Sequence, residues 1–261
     1  MRASGWLVCL WGILIREVLR FLHQRERFFA ALVRPLVWLV IFAAGFRTIA
    51  GIPPLPPYAH PVSYEEYVVP GLLAMILLFN GMQGALSMVY DREMGSMKVL
   101  LTSPLPRSFL LIARLSAGSL VGLAQAVAFL AIAWAWGVRP PLPGLVTVMP
   151  ALLLGGLMLG AIGLLLSCLI RQLENFAGVM NFVIFPMFFL SSALYPLWKL
   201  EEASRVLPQI ARLNPFTHAV ELIRFALYGQ LSLPALGAVI AALPVFAMIS
   251  EAILGVTGGN P

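Results

Sequence analysis

Six times between residues 28 and 254 the sequence runs for twenty residues or more with almost no charge: 28–50, 67–88, 108–136, 145–170, 176–195 and 231–254. A helix rises 1.5 Å per residue, so about 20 apolar residues cross the ~30 Å hydrocarbon of a bilayer. Only 11% of the chain is charged and 61% is hydrophobic, against the roughly 25% charge of a soluble domain. These runs predict an all-α polytopic membrane protein with six transmembrane helices, built as a single transmembrane domain over 1–261.

The net charge of +6 raises the question of a nucleic-acid partner. The basic residues are scattered or sit at the ends of the runs, so topology accounts for them and a nucleic-acid footprint does not. With the N-terminus inside, eleven of the 17 basic residues fall on the cytosolic side. That bias predicts cytosolic N- and C-termini and puts residues 90–107 in the cytosol. Cys9 and Cys168 fall near cytosolic helix ends, without CxxC spacing or a histidine partner, and read as packing residues rather than a disulfide.

The start of the chain has an apolar stretch, residues 5–15, but it is too short to span and is followed by Arg16 and Glu17 rather than a small-residue cleavage site. Arg16, Arg20, His23 and Arg27 then recur at helical spacing on one face, with Leu14, Val18, Phe21, Leu22 and Phe29 on the other. Residues 1–27 therefore predict an interfacial helix lying on the membrane. Residues 51–61, GIPPLPPYAHP, are too proline-rich for helix and read as an ordered or semi-rigid loop. Residues 196–230 predict two helical pieces, 200–212 and 217–228, parted by Asn214-Pro215. The second is apolar enough to dip into the membrane.

Residues 90–107, YDREMGSMKVLLTSPLPR, are the charged exception between apolar runs. Asp91, Arg92, Glu93 and Lys98 would each cost roughly 2.5–3.5 kcal/mol at a bilayer centre. The segment therefore lies outside lipid. Met94, Met97, Leu100 and Leu101 recur at helical spacing, and Pro104 and Pro106 stop the pattern. The expectation is a short amphipathic helix that either rests on lipid or docks on another protein.

There is no phosphate-cradling G-x-x-x-x-G-K-[ST] run, no H-E-x-x-H and no His/Cys cluster. His23, His60 and His218 lie in three separate segments. No Ser/His/acid set converges by spacing. Within the runs, Asn80, Gln83 and Ser87 share one face with Gly84, and Asn181 lies midway along the fifth run. Two readings stand side by side: hydrogen bonds between helices, or a polar pathway lined by the second and fifth runs. Phe182, Phe185, Phe188 and Phe189 make the fifth run aromatic, and Pro186 loosens its helix. Glu174 beside Arg171 reads as a helix-start charge, and Glu251, within about a turn of the last cytosolic end, as a snorkelling side chain.

Three stretches carry a resemblance: YDREMGSMKVLLTSPLPRSFLLIARL (90–115), Glu174 followed by FLSSALYPL (189–197), and LPQIARLNPFTHAVELIR (207–224). In this order and spacing the chain resembles the permease subunits of type-2 ABC transporters, which export drugs, polyketides, lipo-oligosaccharides and polysaccharides. The likeness covers nearly the whole chain. It departs at Ser191-Ser192, where the family often has Ser-Gly, which predicts a differently shaped or tighter outer bend.

The resemblance implies that this chain carries no cofactor and no catalytic residue, with ATP and Mg on a separate cytosolic ABC ATPase. It implies that Asp91, Arg92, Glu93, Gly95, Met97, Lys98 and Thr102 belong to a coupling helix gripped by that ATPase. It further implies a second permease copy, a homodimer with two ATPases, and a pathway lined by Asn80, Gln83, Ser87, Asn181, Phe182, Phe185 and Phe189. Residues 196–230, with Tyr195, Pro196, Asn214, Pro215, Glu221 and Arg224, would form an outer re-entrant pair before the last span. The membrane would be the bacterial cytoplasmic one. The competing reading is an ion-coupled secondary carrier or channel, which needs titratable groups at mid-membrane. A membrane scaffold or assembly factor is the third.

Overall fold

The protein is described from a computed structural model, which covers residues 11–13, 15–16, 19, 25–45, 56–95, 106–170 and 172–257. The interfacial helix expected over 1–27 and the segment 96–105 lie largely outside these residues. Among the described residues the chain is all-helical, with no strand. We number the helices α1 (Arg25–Gly45), α2 (Tyr64–Glu93), α3 (Arg107–Trp136), α4 (Leu142–Leu169) and α5 (Leu173–Phe189). They are followed by α6 (Leu197–Ala203), α7 (Leu207–Leu213), α8 (Pro215–Leu227) and α9 (Leu233–Thr257). Four of them, α2, α3, α4 and α9, are long and apolar enough to cross a membrane; α1 and α5 contain shorter apolar stretches.

The helix ends differ from those expected, for local reasons. α2 begins at Tyr64 because Ser63 and Glu66 form a reciprocal capping box, each side chain accepting the other's backbone N–H at 3.2 Å. It does not stop at residue 88. It continues through Tyr90–Glu93, so the start of the charged segment is the last turn of the second helix and not a separate one. The stop is Gly95, whose φ of 72° is one that glycine adopts at no steric cost. α5 is shorter than its run, because Leu190 is its last capped residue and Ser191 Oγ turns back to donate to the Phe188 carbonyl at 2.6 Å. The expected helical pieces over 196–230 are three rather than two, since Ser204 takes an extended conformation and breaks the first.

α2 and α4 form the central pair; α8, α9 and α3 pack on α4, while α3, α1, α8 and α5 pack on α2. The two central backbones nearly touch. A Cβ on Gly81 would lie 2.8 Å from the Gly160 Cα, and one on Gly163 2.8 Å from the Gly81 carbonyl oxygen. Between lipid-facing helices the hydrophobic drive is small, so close van der Waals contact of small residues holds such a crossing. The core around it is one cluster that includes Leu72, Leu73, Leu77, Met82, Leu152 and Leu159. A second, smaller cluster of Ala85, Val89 and Phe176 joins α2 to the start of α5.

Candidate functional site

At the far end of α2 three consecutive charged residues each hold a different helix. Asp91 pairs with Arg114 of α3 at 2.7 Å, both about one-sixth exposed. Arg92 Nη1 donates to the Ser167 carbonyl near the end of α4 at 3.0 Å. The Glu93 carboxylate accepts the Leu173 N–H at the start of α5 at 2.9 Å, where the free N–H groups of a helix favour negative charge. Successive residues on a helix point about 100° apart, so one turn can reach three neighbours. The next residue, Met94, is 62% exposed, and Gly95 turns the chain away. Met97, Lys98 and Thr102 lie outside the described residues.

The amide stripe of α2 divides. Asn80 Nδ2 donates to the Gly118 carbonyl of α3 at 2.6 Å, an interhelical bond. Ser87 accepts from Arg114 at 3.2 Å. Gln83 is exposed, as is Tyr90 two turns on. A cavity of about 50 Å³ sits where α2, α3 and α4 meet, lined among others by Asn80, Gly84, Arg114, Gly118 and Gly160. On α5 the buried side is Phe176, Ile184 and Phe188, and the other side lies open. Phe182 is 78% exposed, Phe185 43% and Phe189 41%. Asn181 is exposed among them, with only a long 3.4 Å contact to the Ala177 carbonyl of its own helix. The first helix contributes an unexpected cation. The guanidinium carbon of Arg34 sits 3.8 Å from the centroid of the Phe79 ring on α2. Phe79 lies near the middle of α2, so the guanidinium is level with the centre of that helix.

The residues expected on the outer side form a knot around Arg224, which is 3% exposed. It pairs with Glu221 one turn earlier on α8 and donates through Nη2 to the Ser192 carbonyl at 2.7 Å. The same carbonyl accepts the Tyr67 hydroxyl at 2.8 Å, and the guanidinium carbon lies 4.2 Å from the Tyr67 ring centroid. Tyr64 donates to the Leu194 carbonyl at 2.9 Å. Asn214 does two jobs. Its oxygen caps α8 by accepting the Phe216 N–H at 3.0 Å, and its nitrogen donates to the Met187 and Leu190 carbonyls at the end of α5, each at 2.8 Å. Pro215 opens α8 at the position where a missing N–H costs nothing. Pro196 caps α6 and is buried, whereas Tyr195 is 37% exposed. The bend at Ser191-Ser192 is tight: Ala193 lies against Gly71, where a Cβ would come within 2.8 Å.

Sequence reasoning missed the tyrosines of this knot. Tyr58 packs edge-on against Tyr228 at 4.8 Å and near Tyr67 at 6.3 Å. Burial pushes its phenol up to about 12, with the Arg224 charge pulling the other way. Gln230 ties the end of the knot to the proline-rich loop by donating to the Pro57 carbonyl at 3.1 Å. The available signal was a run of tyrosines, 58, 64 and 67, around a capping box, with a single arginine on α8 to face them.

Among the described residues no group of three His, Cys, Asp or Glu side chains converges as a metal site. The arrangement is one of grips and open faces. The sequence pattern of the ABC-2 type transporter family matches residues 9–228. The chain is 28% identical over 199 residues to a protein named putative transport permease ycf38 from Porphyra purpurea, covering 75% of this chain and 66% of that one. It is 26% identical over 223 residues to the ycf38 protein of Cyanophora paradoxa, covering 84% and 74%. It is 31% identical over 166 residues to the probable multidrug ABC transporter permease YbhR of Escherichia coli K12, covering 62% and 44%. A match that takes in α1 to α8, the charged end of α2 and the Arg224 knot leads to one conclusion: this chain belongs to the ABC-2 type transporter family of membrane permeases.

Proposed function

We propose that this chain is the pathway-forming subunit of an ATP-driven exporter, with two permeases and two cytosolic ABC ATPase subunits in the working assembly. In this reading α1, α2, α3, α4, α5 and α9 are the six spans, both termini are cytosolic, and α6–α8 form a partly re-entrant outer cap. The membrane is the bacterial cytoplasmic one. The observation that carries the reading is the end of α2, where Asp91, Arg92 and Glu93 hold α3, α4 and α5 in turn. A push delivered at Met94 then reaches four helices at once. Rigid linkage at one turn is what a subunit without its own ATP site requires. The open faces of α2 and α5, with Gln83, Asn181, Phe182, Phe185 and Phe189, suit the wall of a pathway completed by the second copy. Their mixture of amide and phenyl groups suits an amphipathic, lipid-like or glycan-linked substrate.

The test is purification in mild detergent from native membranes with mass spectrometry of what remains bound, followed by reconstitution. The reading expects an ABC ATPase in equal copy number and transport that stops when ATP is withheld. A purified chain that moves substrate across liposomes without ATP or partner contradicts it and supports an ion-coupled carrier.

A further inference from the structure

Arg34 lies level with the middle of α2. Its stacking partner Phe79 falls within one residue of the midpoint of that 30-residue helix, which is capped at Ser63 and stopped at Gly95. Arg34 is exposed, on a stripe with Val33, Val37 and Val40. No acidic side chain pairs with it among the described residues. Asp91, Glu201 and Glu221 are paired with other arginines, and Glu93 is held by the start of α5. An arginine at this depth needs an anion or water, because hydrocarbon offers neither.

The geometry points to a binding site for the anionic headgroup of an amphiphile, phosphate or carboxylate, at Arg34. Stacking on Phe79, which is only 7% exposed, fixes one face of the guanidinium. A ring against the guanidinium face does not occupy its in-plane N–H edge, the edge that binds an oxyanion in bidentate fashion. Gln83 stands exposed one turn further along the same face of α2, within reach of the same anion as a second donor. The exposed Tyr90, two turns on, continues that face toward the charged end of the helix, as an entry track. In the other direction Trp38, one turn on from Arg34, packs at 6.4 Å from Phe188 and 6.2 Å from Phe189, and Phe185 stacks on Phe189 at 6.3 Å. These rings offer an apolar surface to the tail. The charge and the phenyl wall together select an amphiphile over a free anion.

The inference deepens the exporter reading, but its test needs no ATPase. The full chain in phosphatidylcholine nanodiscs is titrated with dodecyl phosphate and, in parallel, with neutral dodecanol. Saturable dodecyl phosphate binding is expected, at least tenfold tighter than dodecanol. Arg34→Gln should weaken it about tenfold, while Arg34→Lys and Gln83→Leu should each weaken it about threefold. The latter two guard against a variant that fails to assemble. Equal affinity in wild type and Arg34→Gln, or equal binding of phosphate and alcohol, overturns the proposal. Repeating the titration in phosphatidylglycerol nanodiscs separates the sources. Binding lost there identifies bilayer phospholipid as the anionic occupant, and binding kept there identifies a carried amphiphile. If the titration succeeds and no ATPase co-purifies, the site stands and the exporter reading falls.

Discussion

Arg224 is a charge almost wholly removed from solvent, and its neighbours explain how the fold tolerates it. Glu221 neutralises it, the Ser192 carbonyl takes one N–H, and the Tyr67 ring covers one face. Removing one partner of such a set leaves the other buried and uncompensated. Arg224→Ala should therefore destabilise the permease by about 3 kcal/mol, read as a lowered unfolding midpoint in detergent. Tyr58 in the same knot gives a pH prediction. Its folded pKa is raised, so its contribution is fully present below the ordinary phenol value of about 10. It is lost as pH rises toward the folded value of about 12. Unfolding midpoints should fall across that window, and Tyr58→Phe should flatten the fall. At the opposite end, Asp91 and Arg114 are in direct contact and only slightly exposed. A double-mutant cycle with Asp91→Asn and Arg114→Gln should return a coupling of about 1 kcal/mol in stability.

Among the helices, the α2–α4 crossing rests on glycine, and two glycines one turn apart should respond with opposite signs. A Cβ at Gly81 meets the backbone of Gly160, so Gly81→Ala forces the central pair apart at about 1–3 kcal/mol. A Cβ at Gly84 meets nothing within 4 Å. Gly84→Ala should stabilise by roughly 0.5–1 kcal/mol through reduced chain entropy. Thermal unfolding of the two variants side by side checks both signs. The helices themselves were legible because apolar length is a strong local signal. Their ends were less so: Ser63-x-x-Glu66 is a start signal present in the sequence, but the serine turn at Ser191 and the left-handed glycine at Gly95 are set by the folded backbone. Asn80 fitted both earlier readings by spacing, and only its bond to Gly118 separates it from the exposed Gln83. The Arg224 knot was out of reach for another reason. Tyr67 and Ser192 are 125 residues apart, and no pattern within either segment announces their contact.

For the whole molecule, the proposed function requires that motion at the charged end of α2 reach the open faces of α2 and α5. Asp91, Arg92 and Glu93 were expected as contacts for an ATPase, and the structure gives each of them a partner within the chain. Their proposed task is to pass on force received by their neighbours. On this account Glu93→Ala should leave ATPase assembly intact while lowering transport per ATP hydrolysed severalfold, measured in proteoliposomes. The most direct measurement is crosslinking from position 94, which is exposed at the end of α2. Met94→Cys, with the native cysteines replaced, is placed in the assembled transporter with a short bifunctional reagent. The account predicts crosslinks to the ATPase subunit that change in yield when ATP is trapped. Crosslinks to lipid alone, or labelling of position 94 from the outer side of the membrane, would contradict it.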